Sequence, residues 1–527
     1  MKKLLAILLA LALCVAALLS LSACGGDESS DCSDENSENI NTETGGNNDE
    51  ENAPGDDEGD ENVAHTHTPG SAVMENKIPS TCTEDGSYEE VFYCTGCDYE
   101  ISRALRTLRA GHDYSNYICI RCGDEIVPSE GLSFVSNGDG TCYVSGIGEC
   151  KDLEIVIPSH SPRGDVVTGV GDNAFNNNQR IKNVYIPNSV KFIGESAFIG
   201  CYGLTEIIIP KGVEIIKHYA FLGCSFENVI ISDSVTCIED CAFSSCESLV
   251  NIEVDENNAF YRSTDGDLYT KDGKVLLQYA IGKSNDTFSI PFTVTEIRTN
   301  AFSYCSTLKK VKIPDNVTEI GVAAFSMCCS IESVEIGKGT MNIGEGAFAG
   351  CLALGEIDVS EDNRYYKTID GDLYSKDEKL LLQYALGKEK RAFYIREGVT
   401  RIGAFAFGGE KELEFVYIAD SLEEIGARAF TGCESLSHVV IKSGVKVIQN
   451  AAFDCCDSLA SVYYEGTSEE WSNLTIIFDT TTNEDHYYGG NSYLTSATRY
   501  YYSEAEPTEE GNFWHYDAEG NVVVWEK

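Results

Sequence analysis

The sequence predicts a β-rich solenoid, a rod of about 13 parallel rungs with two inserted β-hairpins, preceded by a small module that contains cysteine and histidine. Three observations predict this fold. The pair Ala-Phe recurs every 22 or 23 residues, Val or Ile stands five residues before each phenylalanine, and two gaps of 59 residues hold nearly identical inserts. A fixed period of this size is typical of solenoids. The repeated phenylalanines are Phe175, Phe198, Phe221, Phe243, Phe302, Phe325, Phe348, Phe407, Phe430 and Phe453.

Residues 1–23 are predicted to be a lipoprotein signal peptide. Lys2 and Lys3 precede an apolar run that ends in small residues before a cysteine, as in secretory signals. The segment "LSAC" resembles a bacterial lipobox, and this resemblance implies that Cys24 carries a lipid. An ordinary signal peptide with a different cut is the alternative. Lipidation would hold the protein at the extracellular face of the bacterial cell membrane.

Residues 24–64 are predicted to be an acidic, disordered tether. From Asp27 to Ala64 there are 15 acidic residues and no Lys or Arg. Such a segment buries too little apolar surface to offset its ordering entropy, and its like charges repel. The whole chain has a formal charge of −47, which excludes a generic nucleic-acid binder because such proteins need a basic surface.

Residues 65–127 are predicted to form a small module that resembles a zinc ribbon. Two CxxC pairs separated by 21 residues are close to the spacing of such a site. In a second grouping, one ion is bound by His67, Cys82, Cys94 and Cys97. A shortened copy of the same motif, with His112, Cys119 and Cys122, then lacks a fourth ligand. Disulfides are the alternative, and either cross-link would be structural because the module has few large apolar residues. The candidate zinc ligands are His67, Cys82, Cys94, Cys97, His112, Cys119 and Cys122.

The solenoid itself is predicted over residues 159–465, between an N-terminal cap at 128–158 and a Tyr/Trp-rich C-terminal cap at 466–527. Val or Ile recurs nine and eleven residues after each phenylalanine and alternates with polar or variable residues, as in Ile207 and Ile209. This alternation is typical of a strand with one buried face. One coil buries too little to be stable alone, so neighbouring strands must pair in a parallel sheet.

The two long gaps hold "STDGDLYTKDGKVLLQYA" and "TIDGDLYSKDEKLLLQYA", near residues 255–285 and 360–390. We expect each to be a hairpin that decorates a coil without an Ala-Phe turn. Their Asp-Gly-Asp triplets, at 265–267 and 370–372, could indicate calcium, but further carboxylates and a closing Glu are missing. The triplets therefore favour a hairpin turn through Asp-Gly.

Most cysteines of the repeats form one column, three residues after each phenylalanine. The repetition predicts buried thiols that pack as small apolar groups with weak donors, since a catalytic cysteine would be a single residue beside a base. Cys142 and Cys150 in the N-terminal cap could form a disulfide. The column comprises Cys201, Cys224, Cys246, Cys305, Cys328, Cys351, Cys433 and Cys456.

The block "IgxxAFxxCxxLxxVxIPxxV", repeated from Val170 to about Val462, resembles the leucine-rich repeats of BspA-like bacterial surface proteins. The inserts and both ends of the solenoid are also similar to that family. The resemblance implies a leucine-rich solenoid, display on the cell surface and binding of host or neighbouring-cell proteins, and it supplies no catalytic residues. Asn178 and Glu410 depart from the pattern because they replace the repeated cysteine.

A candidate partner site lies on the outward face of the last four predicted rungs. Residues eight and ten positions after each phenylalanine should point away from the core, and here they are mostly aromatic. Exposed aromatic clusters often mark binding sites. The alternative is that the C-terminal cap or a hairpin covers them. The site comprises Tyr394, Phe415, Tyr417, His438, Val440 and Tyr463.

The function expected from these features is a non-enzymatic, surface-displayed scaffold or adhesin that binds an extracellular protein. The sequence contains no nucleophile elbow, Walker loop, dinucleotide glycine motif or HExxH helix. The alternative is a secreted enzyme using Asp265 with Asp267, or a glycan-binding protein using the C-terminal cap. Two matching inserts suit a structural repeat better than one active site. The sequence does not indicate an oligomeric state.

Overall fold

The structure is a computed structural model and describes residues 69–78, 86–94, 100–108, 114–115, 117–119, 125–478 and 490–525. The chain divides into two compact units, one from Glu28 to Pro128 and one that contains Ser129–Lys527, and each is considered by itself. The predictions for the signal peptide, Cys24 and the acidic tether lie outside the described residues. Among the described residues, no helix has the length and apolar character needed to cross a membrane.

The N-terminal unit contains a three-stranded antiparallel sheet. Its strands are Pro69–Ile78, Gly86–Cys94 and Glu100–Leu108, with the second strand in the middle. A short antiparallel ladder joins Tyr114–Ser115 to Ile118–Cys119. His67, Cys82, Cys97, His112 and Cys122 lie outside the described residues, and only the backbone of Cys94 and Cys119 is described. The zinc site therefore stays a prediction.

The solenoid begins with an antiparallel pair, Ser133–Ser136 and Thr141–Gly146, and the second strand pairs in parallel with Val166–Val170. Cys142 and Cys150 lie in this cap, and both are buried free thiols, so the structure contains no disulfide between them. The Cys142 thiol instead points to the Asp165 carbonyl oxygen at 3.7 Å.

Each coil contributes one long strand, and the 13 predicted rungs are confirmed with a fourteenth added at the C-terminus. In Glu206–Ile209 the residues Ile207 and Ile209 are buried while Ile208 is 41% exposed, which is the predicted alternation. Successive strands of the same sheet pair in parallel. The long strands are Glu154–Val156, Asn183–Tyr185, Glu206–Ile209, Asn228–Ile231, Asn251–Val254, Thr287–Ser289, Lys310–Ile313, Ser333–Ile336, Glu356–Val359, Ala392–Tyr394, Phe415–Tyr417, His438–Lys442, Ser461–Glu465 and Thr498–Tyr502.

Most coils also contribute a short strand, and all of these except the last end at the Val or Ile five residues before a repeated phenylalanine. These short strands form further parallel sheets, which are interrupted at the inserts. Their bounds after Val166–Val170 are Phe192–Ile193, Ile215–Ile216, Cys237–Ile238, Glu296–Ile297, Glu319–Ile320, Asn342–Ile343, Arg401–Ile402, Glu424–Ile425, Val447–Ile448 and Thr475–Ile476.

The Ala-Phe turn follows the short strand and places the phenylalanine ring in the core. Rings of consecutive coils stack with centroids 4.6 to 5.5 Å apart. Residues two positions before and after each phenylalanine have positive φ, for example Asn173 at 58° and Asn177 at 55°. Glycine, Asn and Ser are frequent there because a positive φ is costly for larger residues. The turn is therefore a fixed backbone unit that recurs with the period.

The inserts differ from the prediction, because each has three strands instead of two. The first comprises Tyr261–Thr264, Asp267–Thr270 and Val275–Gln278. The second comprises Tyr366–Ile369, Asp372–Ser375 and Leu380–Gln383, followed by a 3-10 helix at Leu386–Lys388. In each, the first two strands form the predicted hairpin through Asp-Gly, with φ of 53° and 81° at Asp265 and Gly266.

The third strand of each insert belongs to the solenoid. Val275–Gln278 pairs in parallel with Glu296–Ile297, and Leu380–Gln383 pairs in parallel with Arg401–Ile402. The tyrosine that follows stacks where a phenylalanine would lie, as Tyr279 does on Phe302 at 4.9 Å. The coil that carries each insert therefore lacks the Ala-Phe pair, and a tyrosine occupies the position of its phenylalanine.

The described residues after the last 23-residue period pack against the end of the solenoid core. Helix Ser468–Asn473 begins with a capping box between Thr467 and Glu470, and helix Ser492–Ser496 follows. Trp471 and Leu494 are buried against the last coils. The last two described strands, Phe513–Tyr516 and Val522–Val524, extend the sheet of long strands beyond Thr498–Tyr502.

Candidate functional site

The register of the last long strands aligns the predicted partner residues in two columns. Tyr394 pairs with Tyr417, which pairs with Val440, which pairs with Tyr463. Phe415 pairs with His438 in the neighbouring column. Parallel pairing without a shift places equivalent residues of successive coils directly beside one another, so the structure brings together all six predicted residues.

The rings in these columns stack nearly parallel. The centroids of Tyr394 and Tyr417 are 4.4 Å apart with an interplanar angle of 6°. Those of Phe415 and His438 are 4.8 Å apart at 14°, and His438 continues to Tyr463 at 5.9 Å. Stacked neighbours on rigid strands have little freedom to rotate, so the rings form a fixed surface.

The C-terminal cap covers part of this surface. Trp514 is fully buried and meets the Tyr463 ring edge-on at 5.8 Å. Its indole N–H donates to the Tyr464 carbonyl oxygen at 3.1 Å. As a result Val440 and Tyr463 are buried under the cap, at 3% and 9% exposure. The expectation that these two residues face solvent was wrong.

Four of the six residues remain accessible, and we call Tyr394, Phe415, Tyr417 and His438 the aromatic face. Tyr394 is 64% exposed, whereas the other three are half-buried. Burial lowers the pKa of His438 against the opposing effect of Glu414, so the imidazole is neutral at pH 7. Burial raises the pKa of Tyr417. The face is therefore aromatic and uncharged in its own side chains.

Charged groups border the aromatic face. Arg391 pairs with Glu414 at 3.1 Å. Lys442 lies between Asp420 and Glu465 and over the Tyr516 ring, 5.3 Å from its centroid. An apolar centre with a polar rim is the usual arrangement of protein interfaces.

The carboxylates proposed for the alternative enzyme have different structural positions. Asp265 lies at the exposed turn, whereas Asp267 is fully buried and pairs with Lys283 at 2.5 Å. Asp267 also accepts a hydrogen bond from the Ala280 N–H at 2.9 Å. Burial raises the pKa of Asp267 to about 6, although Lys283 opposes this effect. Asp372 and Lys388 repeat the arrangement in the second insert. Within the described residues, no group of three His, Cys, Asp or Glu side chains could hold a metal ion.

The eight column cysteines are buried free thiols, as predicted. Seven of them donate to the carbonyl oxygen of the phenylalanine one coil earlier, at 3.1 to 3.3 Å, as Cys328 does to Phe302. Cys305 instead points to the Ile281 carbonyl oxygen at 3.9 Å. Burial raises the pKa of Cys201 to about 11, so the thiol is neutral at pH 7 and a poor nucleophile.

Sequence reasoning missed Trp514, the residue that limits the aromatic face. It lies beyond the last 23-residue period, and no periodic signal places it over Tyr463. Sequence reasoning also missed the role of Tyr279 and Tyr384, although each lies 23 residues before a repeated phenylalanine. That spacing could have indicated that both tyrosines occupy the core position of the repeated phenylalanine.

Comparison with known proteins gives a family match and several structural neighbours. The model of the BspA type leucine rich repeat region matches with six copies over residues 168–264, 279–377 and 387–482, which together exceed half of the chain. No match was found among curated proteins.

Three of the similar solved structures are bacterial. A leucine rich cell surface protein of Faecalibacterium prausnitzii is 23% identical over 67% of this chain and 98% of its own, with a TM-score of 0.32. A leucine-rich repeat protein of Eubacterium ventriosum is 23% identical over 69% and 98%, with a TM-score of 0.41. The pneumococcal vaccine antigen PcpA is 18% identical over 72% and 94%, with a TM-score of 0.29. On the strength of the repeat match, the chain belongs to the BspA type leucine-rich repeat family.

Proposed function

We propose that this protein is a non-enzymatic binding scaffold displayed on the outside of a bacterial cell, and that it binds an extracellular protein through the aromatic face. The observation that carries the proposal is the open stack of rings, in which Tyr394 is 64% exposed. Membership of a leucine-rich repeat family supports a scaffold. Solenoids of this kind offer extended surfaces for partners.

The chemistry of the aromatic face favours a protein partner. Tyr, Phe and His rings offer a large contact area with few rotatable bonds, so ordering them costs little entropy. Tyrosine is enriched among residues that dominate binding energy. The strands Phe415–Tyr417 and His438–Lys442 are paired on both sides, and Ala392–Tyr394 is the edge strand of the same sheet, paired with Phe415–Tyr417. The backbone that carries the rings is therefore organised before the partner arrives.

The proposal includes attachment to the membrane by a lipid on Cys24, with residues 24–64 as the spacer. Labelling growing cells with a fatty-acid analogue should mark the wild-type protein, and Cys24→Ser should abolish the label and release the protein into the medium. Equal labelling of the two proteins would exclude this anchor. The solenoid does not take part in this test, so its result is independent of the partner site.

We also propose that the N-terminal module holds structural zinc. Purified protein should then contain zinc in a fixed ratio to the chain, and removal of the metal should unfold the module while the solenoid is retained. Protein that is free of zinc, with thiols that resist alkylation even after unfolding, would indicate disulfides instead. The proposed ligands come from His67, Cys82, Cys94, Cys97, His112, Cys119 and Cys122.

The test of the partner site is a binding screen of the full chain against purified extracellular-matrix proteins and glycans. The variant Tyr394→Ala/Phe415→Ala should lose at least about tenfold in affinity for a bound protein, because two central rings are removed. A matched control is Lys312→Ala/Glu335→Ala, since this exposed pair occupies the same outward column on earlier coils. Equal loss in both variants, or binding only to glycans, would contradict the proposal.

A further inference from the structure

Each insert creates a junction between the coil before it and the coil after it. The two junctions are equivalent, because residues of the first correspond to residues of the second 105 positions later. A cleft opens at each junction, with a volume of about 10 Å³ at the first and about 90 Å³ at the second. We call these the first cleft and the second cleft.

An arginine side chain bridges the first cleft. Arg298 donates from Nε to Asp240 at 2.7 Å and from Nη1 to Glu296 at 3.1 Å. Arg298 lines the cleft together with Leu268 and Leu277. The guanidinium therefore joins two coils that are separated by 58 residues in the chain.

The second cleft keeps the apolar walls and one of the two acids, but it has no side chain at the position equivalent to Arg298, and Arg401 lines it at the position of the second acid. Gly403 replaces Arg298, Glu345 replaces Asp240, and Leu373 and Leu382 correspond to the two leucines of the first cleft. The absence of a side chain at Gly403 explains why the second cleft is larger.

The charges around the second cleft also differ from those of the first. Arg401 takes the position of Glu296 but extends toward Glu424, with 3.6 Å between the charged atoms. Glu345 is exposed, and its carboxylate forms no ion pair within the described part of the chain. The cleft is thus lined by the carboxylate of Glu345, by an apolar wall and by Arg401, whose charge is directed toward Glu424.

We propose that the second cleft receives an arginine side chain of a partner protein, with Glu345 as its counter-ion. The first cleft supplies the template, since the same fold there holds a guanidinium against the acid Asp240, in a cleft lined by two leucines, with Glu296 as a second partner. The aliphatic stem of arginine packs on apolar residues while its planar head pairs with a carboxylate. The chain's charge of −47 attracts basic partners over longer distances. This site is separate from the aromatic face, and so it does not depend on the proposed function.

The experiment uses the full chain and short capped peptides, Gly-Arg-Gly and the same peptide with citrulline, observed by saturation-transfer NMR. Citrulline has the shape of arginine without its charge. We expect the arginine peptide to bind at least about tenfold more tightly, because the charged hydrogen bond to a carboxylate is the stronger one. Equal binding of the two peptides would overturn the proposal.

Variants locate the site. Gly403→Arg introduces into the second cleft the arginine that Arg298 provides in the first cleft. Because the new side chain fills the cleft, it should abolish binding of the arginine peptide. Glu345→Gln removes the counter-ion at nearly constant size and should weaken binding about tenfold; this variant decides the question if Gly403→Arg does not fold. The matched control is Glu319→Gln, an exposed acid on a short strand without an insert. Unchanged binding in Glu345→Gln, or equal loss in the control, would place the peptide elsewhere.

Discussion

Tyr384 stacks on Phe407, one period later in the chain, with 5.0 Å between the ring centroids. Tyr384 is fully buried, and its hydroxyl has no hydrogen-bond partner among the residues that the structure describes. The second insert therefore continues the aromatic stack of the core, and the solenoid passes through the insert without losing this contact. The same holds for Tyr279 in the first insert.

This contact predicts opposite effects for two substitutions of Tyr384. Tyr384→Ala should lower the free energy of unfolding by about 3 to 5 kcal/mol, because it leaves a large cavity in the core. Tyr384→Phe should raise it by about 1 kcal/mol, because it removes a buried hydroxyl without a partner. Urea denaturation followed by far-UV circular dichroism measures both. A loss of stability in Tyr384→Phe would show that the hydroxyl is satisfied in solution.

The buried ion pair of the first insert predicts a large effect of Lys283→Met. The substitution leaves Asp267 fully buried without its cation and should cost about 3 kcal/mol at pH 7. Lys274→Met is the control, since Lys274 and Asp272 form an exposed pair at 3.4 Å and such pairs contribute less than about 1 kcal/mol. Equal effects of the two substitutions on urea denaturation would contradict a structural role for Asp267.

Replacing the buried acid Glu410 is expected to stabilise the protein by an amount that depends on pH. It occupies the position equivalent to Cys305, and burial raises its pKa. When the pKa of an acid is higher in the folded than in the unfolded state, the free energy of unfolding falls as pH rises, because the unfolded state loses the proton at a lower pH. Glu410→Cys should therefore stabilise the protein more at pH 7 than at pH 4. Thermal melting at the two pH values is the measurement, and an equal shift at both would show that Glu410 does not titrate between them.

The cysteine column predicts a difference in reactivity between folded and unfolded protein. Buried thiols with raised pKa values, such as Cys201 and Cys246, should resist iodoacetamide at pH 7.5 and react after denaturation. Mass spectrometry of peptides from each state identifies the alkylated positions. Rapid alkylation of the column in the folded protein would contradict the packing described for these residues.

Periodicity was sufficient to predict most of the solenoid. Most core residues that repeat at 23 positions, such as Ile207, Phe198 and Cys201, are buried as the spacing indicates, because one coil constrains the next. The third strand of the inserts was missed because Val275–Gln278 follows an irregular stretch and its register is set only by the coil that it joins. The outcome for Val440 and Tyr463 depended on Trp514, a contact between distant parts of the chain that no local pattern encodes.

The most direct test of the proposed function is hydrogen–deuterium exchange of the full chain with and without the matrix protein that binds it in the screen. Protection is expected in peptides that contain the strands Ala392–Tyr394 and Phe415–Tyr417. The exchange of Lys310–Ile313, a long strand of an earlier coil, should be unchanged. The variant Tyr394→Ala/Phe415→Ala should remove the protection. Protection confined to the strands of residues 287–359, with binding intact in the double variant, would contradict the assignment of the partner site to the aromatic face.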